Sequence, residues 1–291
     1  MWISQADVKN CFYQVKLPQW LIPYFCLDPL SMSEAIALGA QHDHKGLSLD
    51  FGLVRPILPA LCVLPMGWSW AFWIVQKLHE SICDDAGFAV DHRLVAGWIA
   101  PSFEKHESFV MPHCDNLTVC GSSEASSVAG LMRLLKAFQV KGFVMHEVAL
   151  GEITATVLGG VVHGLEHFVH GKDDKIALLR GVFLWLSSGP KVTGQVIEKV
   201  LGHFIYVALP ARALLSVPRA LYAFIKDSYL IPQCLWRSAA YESKLIAALL
   251  PLASCDLDRA WHPRVDASDA SLTGCAAVSS CLDPAAVKEM G

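Results

Sequence analysis

The sequence predicts an α+β fold, and three observations predict it. Short β-prone runs crowd the chain before Asp173, "FVMPHC", "LTVCG", "GFVMHEVAL" and "ATVLGGVVHG" among them. Helical periodicity then takes over from Asp173, with apolar residues three and four apart in "DDKIALLRGVFLWLSSG" and "TGQVIEKVLGHFIYVAL". Near Arg264 the pattern changes again, to a strand, a turn and a second strand in "RVDASDASLTGCAAVSS".

Taken in order, residues 1–17 read as a short strand and a turn, closed by Pro18. Residues 19–55 hold short apolar runs broken by Pro23, Pro29, Gly39, Gly46 and Gly52, a strand-and-loop region with a polar insert around "HDH". Trp68 to Ile82 has few breakers and reads as a helix, with Trp68, Trp70 and Trp73 mostly in the core. "MPHCDNLTVCG" reads as a hairpin whose tip is Asp115-Asn116. Glu124 to Val140 carries Val128, Leu131, Leu134, Leu135 and Phe138 on one stripe, the mark of an amphipathic helix. "VPRALYAFIKD" and "WRSAAYESKLIAALLPL" continue the helical run.

The chain has 291 residues, 54% of them hydrophobic and 17% charged, with a mean hydropathy of +0.41. That is apolar enough to raise a membrane reading. The longest uncharged window, Ile57 to Val75, is long enough to span a bilayer. Pro59, Pro65 and Gly67 would break it in the middle, so no membrane span is expected. A net charge of −4 gives no global sign of nucleic acid, and any such contact needs a local basic surface. Ten cysteines without a C-x-x-C pair or a secretory signal predict free thiols in an intracellular, reducing compartment.

Asp115 raises the chemical question. A carboxylate in an apolar hairpin costs free energy unless it is paired or binds a cation. Asp7, in the apolar run "ADVKNCFYQV", is the natural partner if the two strands meet. Two such carboxylates suit Mg²⁺, and a metal pair can stabilise the attacking and leaving oxygens of phosphoryl transfer. Spacing alone favours a plainer reading, with Asp115 as a turn former and Asp7 as a strand-edge acid.

The order of the pieces supplies the rest. An acid followed by "CFYQVKLP", then "LPMGW" opening a helix, then an acid at a hairpin tip, resembles the reverse transcriptases of retroviruses and retrotransposons. "KGFVMHEV", "VLGGVVHG", the stretch from Val192 to Ile225 and "RVDASDASLTGCAAV" extend the resemblance collinearly over nearly the whole chain. It implies a polymerase palm with partial fingers over residues 1–165, the fingers-like insert covering about 19–63. It further implies a helical thumb and connector over 166–230, a helical linker over 231–262 and the start of a ribonuclease H-like domain over 263–291.

The implied activity is template-directed DNA synthesis by two-metal nucleotidyl transfer, with Mg²⁺ or Mn²⁺ as cofactor. The implied partners are an RNA or DNA template–primer and a deoxynucleoside triphosphate. Asp7 and Asp115 would be the catalytic metal aspartates, with the Val8 backbone as a further ligand and Asn116 beside them. Phe12 would exclude a ribose 2′-hydroxyl, and Pro65, Met66, Gly67 and Trp68 would line the nucleotide and template pocket. Asp266 falls on the first metal aspartate of the ribonuclease H pattern, whose other acids do not follow before Gly291. The box is His-Cys-Asp-Asn where the family has Tyr-x-Asp-Asp, and Lys9 and the lack of the usual upstream fingers are further departures. These leave a degenerate or truncated copy, non-catalytic but of the same fold, as one alternative and a membrane-associated protein as another.

Lys and Arg outnumber Asp and Glu from Lys172 to Lys226, where a thumb would hold duplex backbone, although an ordinary solvated helix face reads the same. His163, His167 and His170 have zinc-like spacing on a helix, but the flanking glycines and the resemblance put them on a hairpin.

Overall fold

A computed structural model describes residues 1–40, 42, 56–270 and 274–290. Part of the polar insert of the fingers-like segment, including Asp43 and His44, lies outside these residues.

The chain opens with β1 (Trp2–Val8) and a single helical turn, α1 (Cys11–Gln14). A short helix α2 (Met32–Ala37) follows, and then the longer α3 (Ala71–Asp85). The hairpin β2 (Ser108–His113) and β3 (Asn116–Gly121) leads into α4 (Glu124–Val140) and β4 (Met145–Glu152). β1, β2, β3 and β4 form one antiparallel sheet in the order β2-β3-β1-β4. β1 is therefore central, although it comes first in the chain.

Alternation along β1 explains its two faces. Ser4, Ala6 and Val8 are buried towards the helices, whereas Gln5 and Asp7 are only half-buried on the other face. α3 and α4 cover the buried face. Ile82, Phe88, Leu117, Leu131, Leu134 and Phe138 form the heart of that core. Gly130 lets α4 approach the sheet, since a Cβ there would stand 2.9 Å from Val119 Cγ1. Ser127 on α4 and Ser4 on β1 share a buried hydroxyl–hydroxyl bond of 2.6 Å.

A second antiparallel sheet follows, built from β5 (Thr154–Val157), β6 (Gly160–His163) and β7 (Phe168–Gly171). Next come α5 (Asp173–Ser187), the two-residue β8 (Lys191–Val192), α6 (Gly194–Ala208) and α7 (Arg219–Asp227). β9 (Gln233–Cys234) pairs with β8 and precedes α8 (Arg237–Leu249), and β10 (Ser254–Asp256) then pairs with β7. α5 to α8 share one apolar core that includes Phe183, Ile197, Leu201, Phe204, Phe224 and Ile246. Glu242 on α8 accepts hydrogen bonds at 2.8 and 2.9 Å from the Ala220 and Leu221 amides at the start of α7. The chain ends in an exposed ribbon, β11 (Arg264–Ala270) with β12 (Cys275–Cys281), and a short helix α9 (Pro284–Met290).

Several expectations are corrected. The hairpin tip is Cys114-Asp115, one residue earlier than expected, because His113 pairs with Asn116 and Cys114 takes a positive φ of 53°. "ATVLGGVVHG" is two strands, not one, turned at Leu158-Gly159 where both φ values are positive. α3 starts at Ala71 because Gly67, at φ +94°, turns the chain just before it. Trp70 and Trp73 are more than half exposed rather than core. The helix expected as a linker, α8, belongs to the same core as α5 to α7. The strand-like reading of residues 19–40 gives way to a 3-10 turn, α2 and isolated bridges.

The apolar window Ile57 to Val75 is extended up to Leu64, whose amide bonds the Val15 carbonyl at 2.8 Å, and helical only from Ala71. Among the described residues no single helix is long and apolar enough to cross a membrane. One pair, Gly194–Ser216 with Arg219–Asp227, passes by composition but is bent by 102°, and its apolar residues Leu201, Phe204 and Phe224 are buried in the helical core.

Phe138, on α4, is fully buried and meets the rings of His79 and Phe143 edge-on. Phe138→Ala is expected to lower unfolding stability by about 3–5 kcal/mol in denaturant titration. A loss below about 1 kcal/mol would mean that α4 does not pack as described.

Candidate active site

The site forms where β1 ends beside the Cys114-Asp115 turn. Asp7 stands directly opposite Asn116 across the β1–β3 pair. One residue on, the Val8 amide donates to the Asp115 carbonyl at 2.8 Å. This register puts Asp7, Asp115 and Asn116 at one end of the sheet. The Asn116 side-chain amide donates to Asp115 Oδ1 at 3.0 Å.

α3 clamps the turn from behind. Gln76 accepts the Cys114 amide at 2.9 Å and donates to the Pro112 carbonyl at 3.0 Å. His79, fully buried, donates from Nδ1 to the Cys114 carbonyl. Its Nε2 is then free to accept the Cys11 thiol, 3.7 Å away. Burial drives the His79 pKa down to about 4, so the ring stays neutral and keeps this tautomer. Burial likewise pushes the Cys11 thiol up to about 12 and Cys114 to about 11, which makes both inert packing groups.

Asp7 is the strained carboxylate of the site. Its Oδ2 pairs with His146 Nε2 at 2.8 Å. Its Oδ1 is occluded from solvent and has no hydrogen-bond partner among the described residues. Burial first, and the Asp115 charge second, hold its pKa above the ordinary carboxylate value, against the lowering effect of His146.

A cleft of about 750 Å³ opens beside the Cys114-Asp115 turn, and Asp7 lies behind that turn rather than on the cleft wall. Phe12, Phe72, His113, Asp115 and Asn116 line one side, and Leu158, Gly159, Tyr206 and Pro210 line the other. Phe72 meets His113 edge-on, with ring centroids 5.5 Å apart. Tyr206 on α6 donates to the Leu158 carbonyl, tying the helical part to the β5–β6 turn. Gly159 at that turn has φ +79°, and a Cβ there would collide with the Tyr206 hydroxyl.

The structure thus brings together Asp7, Val8, Phe12, Asp115 and Asn116. Pro65, Met66, Gly67 and Trp68 lie in the loop before α3 and are not part of the cleft wall. Pro65 is buried, Met66 is exposed, and Trp68 packs edge-on against Phe25 with centroids 5.2 Å apart. Asp266 sits on the exposed ribbon, where hydrogen bonds from Arg264 and Ser279 hold its pKa below the usual value. His163 and His170 do lie on a hairpin, β6–β7, with Nε2 atoms 2.9 Å apart, while His167 binds Asp258 instead.

Sequence reasoning missed His146, Gln76, His79 and Tyr206. No local signal marks them, because each acts through a contact made only in the folded chain.

The chain matches no protein-family model, and no curated protein resembles it in sequence. Among solved structures it is similar to the foamy viral protease–reverse transcriptase. Against its dRH form in complex with double-stranded DNA, the TM-score is 0.60 at 12% identity, covering 93% of this chain and 39% of that one. Against the structure with double-stranded DNA the TM-score is 0.58 at 13% identity, covering 93% and 46%. Against the structure with an RNA/DNA hybrid it is 0.59 at 12% identity, covering 93% and 30%. This chain therefore spans less than half the length of those proteins. At this identity the likeness shows the fold: a mixed α+β chain resembling part of a retroviral reverse transcriptase.

The Asp7 environment gives a pH prediction. The folded chain holds the Asp7 proton more tightly than the unfolded chain does, so ionisation costs stability above the folded pKa. That cost disappears below the ordinary value of 3.8. Asp7→Asn is expected to raise Tm at pH 7.5 in metal-free buffer, with a gain that shrinks steadily towards pH 4. A Tm drop at pH 7.5 would show instead that the His146 pair outweighs burial.

Proposed function

We propose that this chain is the palm, thumb and connector portion of a reverse transcriptase, which extends a primer strand on an RNA or DNA template. The observation that carries this reading is the pairing of the Asp7 strand end with the Cys114-Asp115 turn, whose residues line a cleft. Its support is the collinear resemblance in sequence together with the fold likeness.

The donor set suits a hard divalent cation. The partnerless Asp7 Oδ1 is a carboxylate oxygen in search of a positive partner, and Asp115 offers a second carboxylate one strand away. Asp7 and Asp115 would hold Mg²⁺ or Mn²⁺, with the Val8 carbonyl as an additional oxygen donor. The cation would supply charge stabilisation for the attacking and leaving oxygens of phosphoryl transfer.

The chain's own residues do the rest of the positioning. Phe12, on the cleft wall, would exclude a ribose 2′-hydroxyl by bulk. Gln76 and His79 keep the Asp115 turn in place without carrying charge into the site. Tyr206 and the Leu158-Gly159 turn form the opposite wall, where the primer end would lie. Residues 263–291 would be the beginning of a ribonuclease H-like domain. Pro65, Met66, Gly67 and Trp68 would reach the template only from the loop before α3, outside the cleft wall.

A second reading has specific support. Asn116 removes a negative charge from the box, and His146 already pairs with Asp7. Both favour a duplex-binding module of the same fold without catalysis.

Primer extension separates the two. An oligo(dT) primer on poly(rA), with Mg²⁺ or Mn²⁺, is expected to be extended by the wild-type chain. Asp115→Asn is expected to reduce extension more than about 100-fold, beyond the loss typical of a group outside the metal's own ligands. Asn116→Asp, which restores an acid, is expected to preserve or raise the rate. Duplex binding without extension in the wild type and in N116D would favour the non-catalytic reading.

A further inference from the structure

Away from the cleft, three potential ligands converge that neither the proposed activity nor the sequence patterns involve. Asp91 and His92 lie in a 3-10 turn, Val90–His92, that follows α3. His106 comes from the segment leading into β2. The Asp91 carboxylate and one nitrogen of each imidazole all lie within 4.8 Å of one another. Asp91 Oδ2 and His106 Nε2 are 3.8 Å apart, too long for a hydrogen bond. The two ring centroids are 3.9 Å apart, with the ring planes tilted by 53°.

We propose that Asp91, His92 and His106 form a binding site for a divalent transition metal of the zinc class. Two imidazoles and one carboxylate are borderline donors, which suit zinc or cobalt and not magnesium. Ligands around a tetrahedral zinc stand roughly 3.3 Å apart, given bonds near 2 Å. Small rotations close the remaining gap, and Asp91 is exposed enough to make them. The fourth position is open to water.

The surroundings leave these ligands available. Arg93, next to His92 in sequence, turns away into the protein. Its guanidinium donates to the Phe88 carbonyl at 2.9 Å and the Glu80 carbonyl at 2.8 Å, and also pairs with Asp84. Among the described residues Asp91 has no ion partner other than His106. His92 also touches Phe88 edge-on, which helps hold its ring in place.

The position in the fold gives the metal a role. The 3-10 turn and His106 are the two ends of an excursion over residues 93–105. Just inside it, the Leu94 amide bonds the Val110 carbonyl on β2 at 2.9 Å. A bound metal closes this loop at its base and so fastens the root of the hairpin that carries Asp115. The inference rests on these residues alone and does not require polymerase activity.

The test is titration of the full chain with Co²⁺, read by its visible d–d absorption, and with Zn²⁺, read by Tm. One equivalent of Co²⁺ is expected to bind the wild type in the micromolar range with bands of a four- or five-coordinate centre. His92→Ala/His106→Ala is expected to abolish the bands, and Asp91→Asn to weaken binding at least tenfold. Asp7→Asn/Asp115→Asn and His163→Ala/His170→Ala are expected to bind like the wild type. If the double alanine variant does not fold, His106→Gln decides, by losing the bands while retaining its far-UV spectrum. Wild-type binding no tighter than millimolar, or unchanged binding in the His106 variants, would overturn the proposal.

Discussion

The register between β1 and β3 is the constraint on which the site depends. It sets Asp7 against Asn116 and ties the Val8 amide to the Asp115 carbonyl. A slip of one residue would turn Asp7 into the helix-covered core and bring Ala6 and Val8 out. The core prevents this, because Ser4, Ala6 and Val8 are already packed beneath α3 and α4. The carboxylate is therefore held in place by the apolar residues on the strand's other face.

Burial explains the electrostatics that follow. An unpartnered carboxylate oxygen costs about 1–3 kcal/mol or more, and Asp7 carries one at Oδ1. Asp115 nearby increases the cost, and His146 relieves part of it at Oδ2. A divalent cation would relieve the whole. The neighbouring groups have been made quiet by the same burial. His79 is neutral, and Cys11 and Cys114 remain thiols. Neither the buried imidazole nor these thiols therefore add charge to the site.

Much of the fold was legible because it rests on local periodicity. The stripe from Val128 to Phe138 marked α4 with its observed limits, and the runs after Asp173 marked the helical part. What failed depended on single backbone conformations. Cys114 adopts a positive φ that polarity at Asp115-Asn116 did not announce, and Leu158-Gly159 folds an apparently continuous strand back on itself. The tryptophans near α3 misled for another reason. Hydrophobicity ranks them as core, yet Trp70 and Trp73 meet edge-on at the surface. In the site, Asp7, Asp115 and Phe12 could be named from the order of motifs. Gln76, His79 and His146 could not, since their roles come from contacts between elements 35 or more residues apart. The Asp91, His92 and His106 cluster escaped for the same reason, because its two parts meet only when the segment before β2 folds back.

The central claim is that Asp7 and Asp115 share a divalent cation. Crystals of the chain grown with Mn²⁺ would test it most directly, through the anomalous scattering of the ion. The account predicts a peak bonded to Asp7 Oδ1 and an Asp115 carboxylate oxygen together. No peak at that position in Mn²⁺-saturated crystals, with Asp7 still paired to His146, would contradict it.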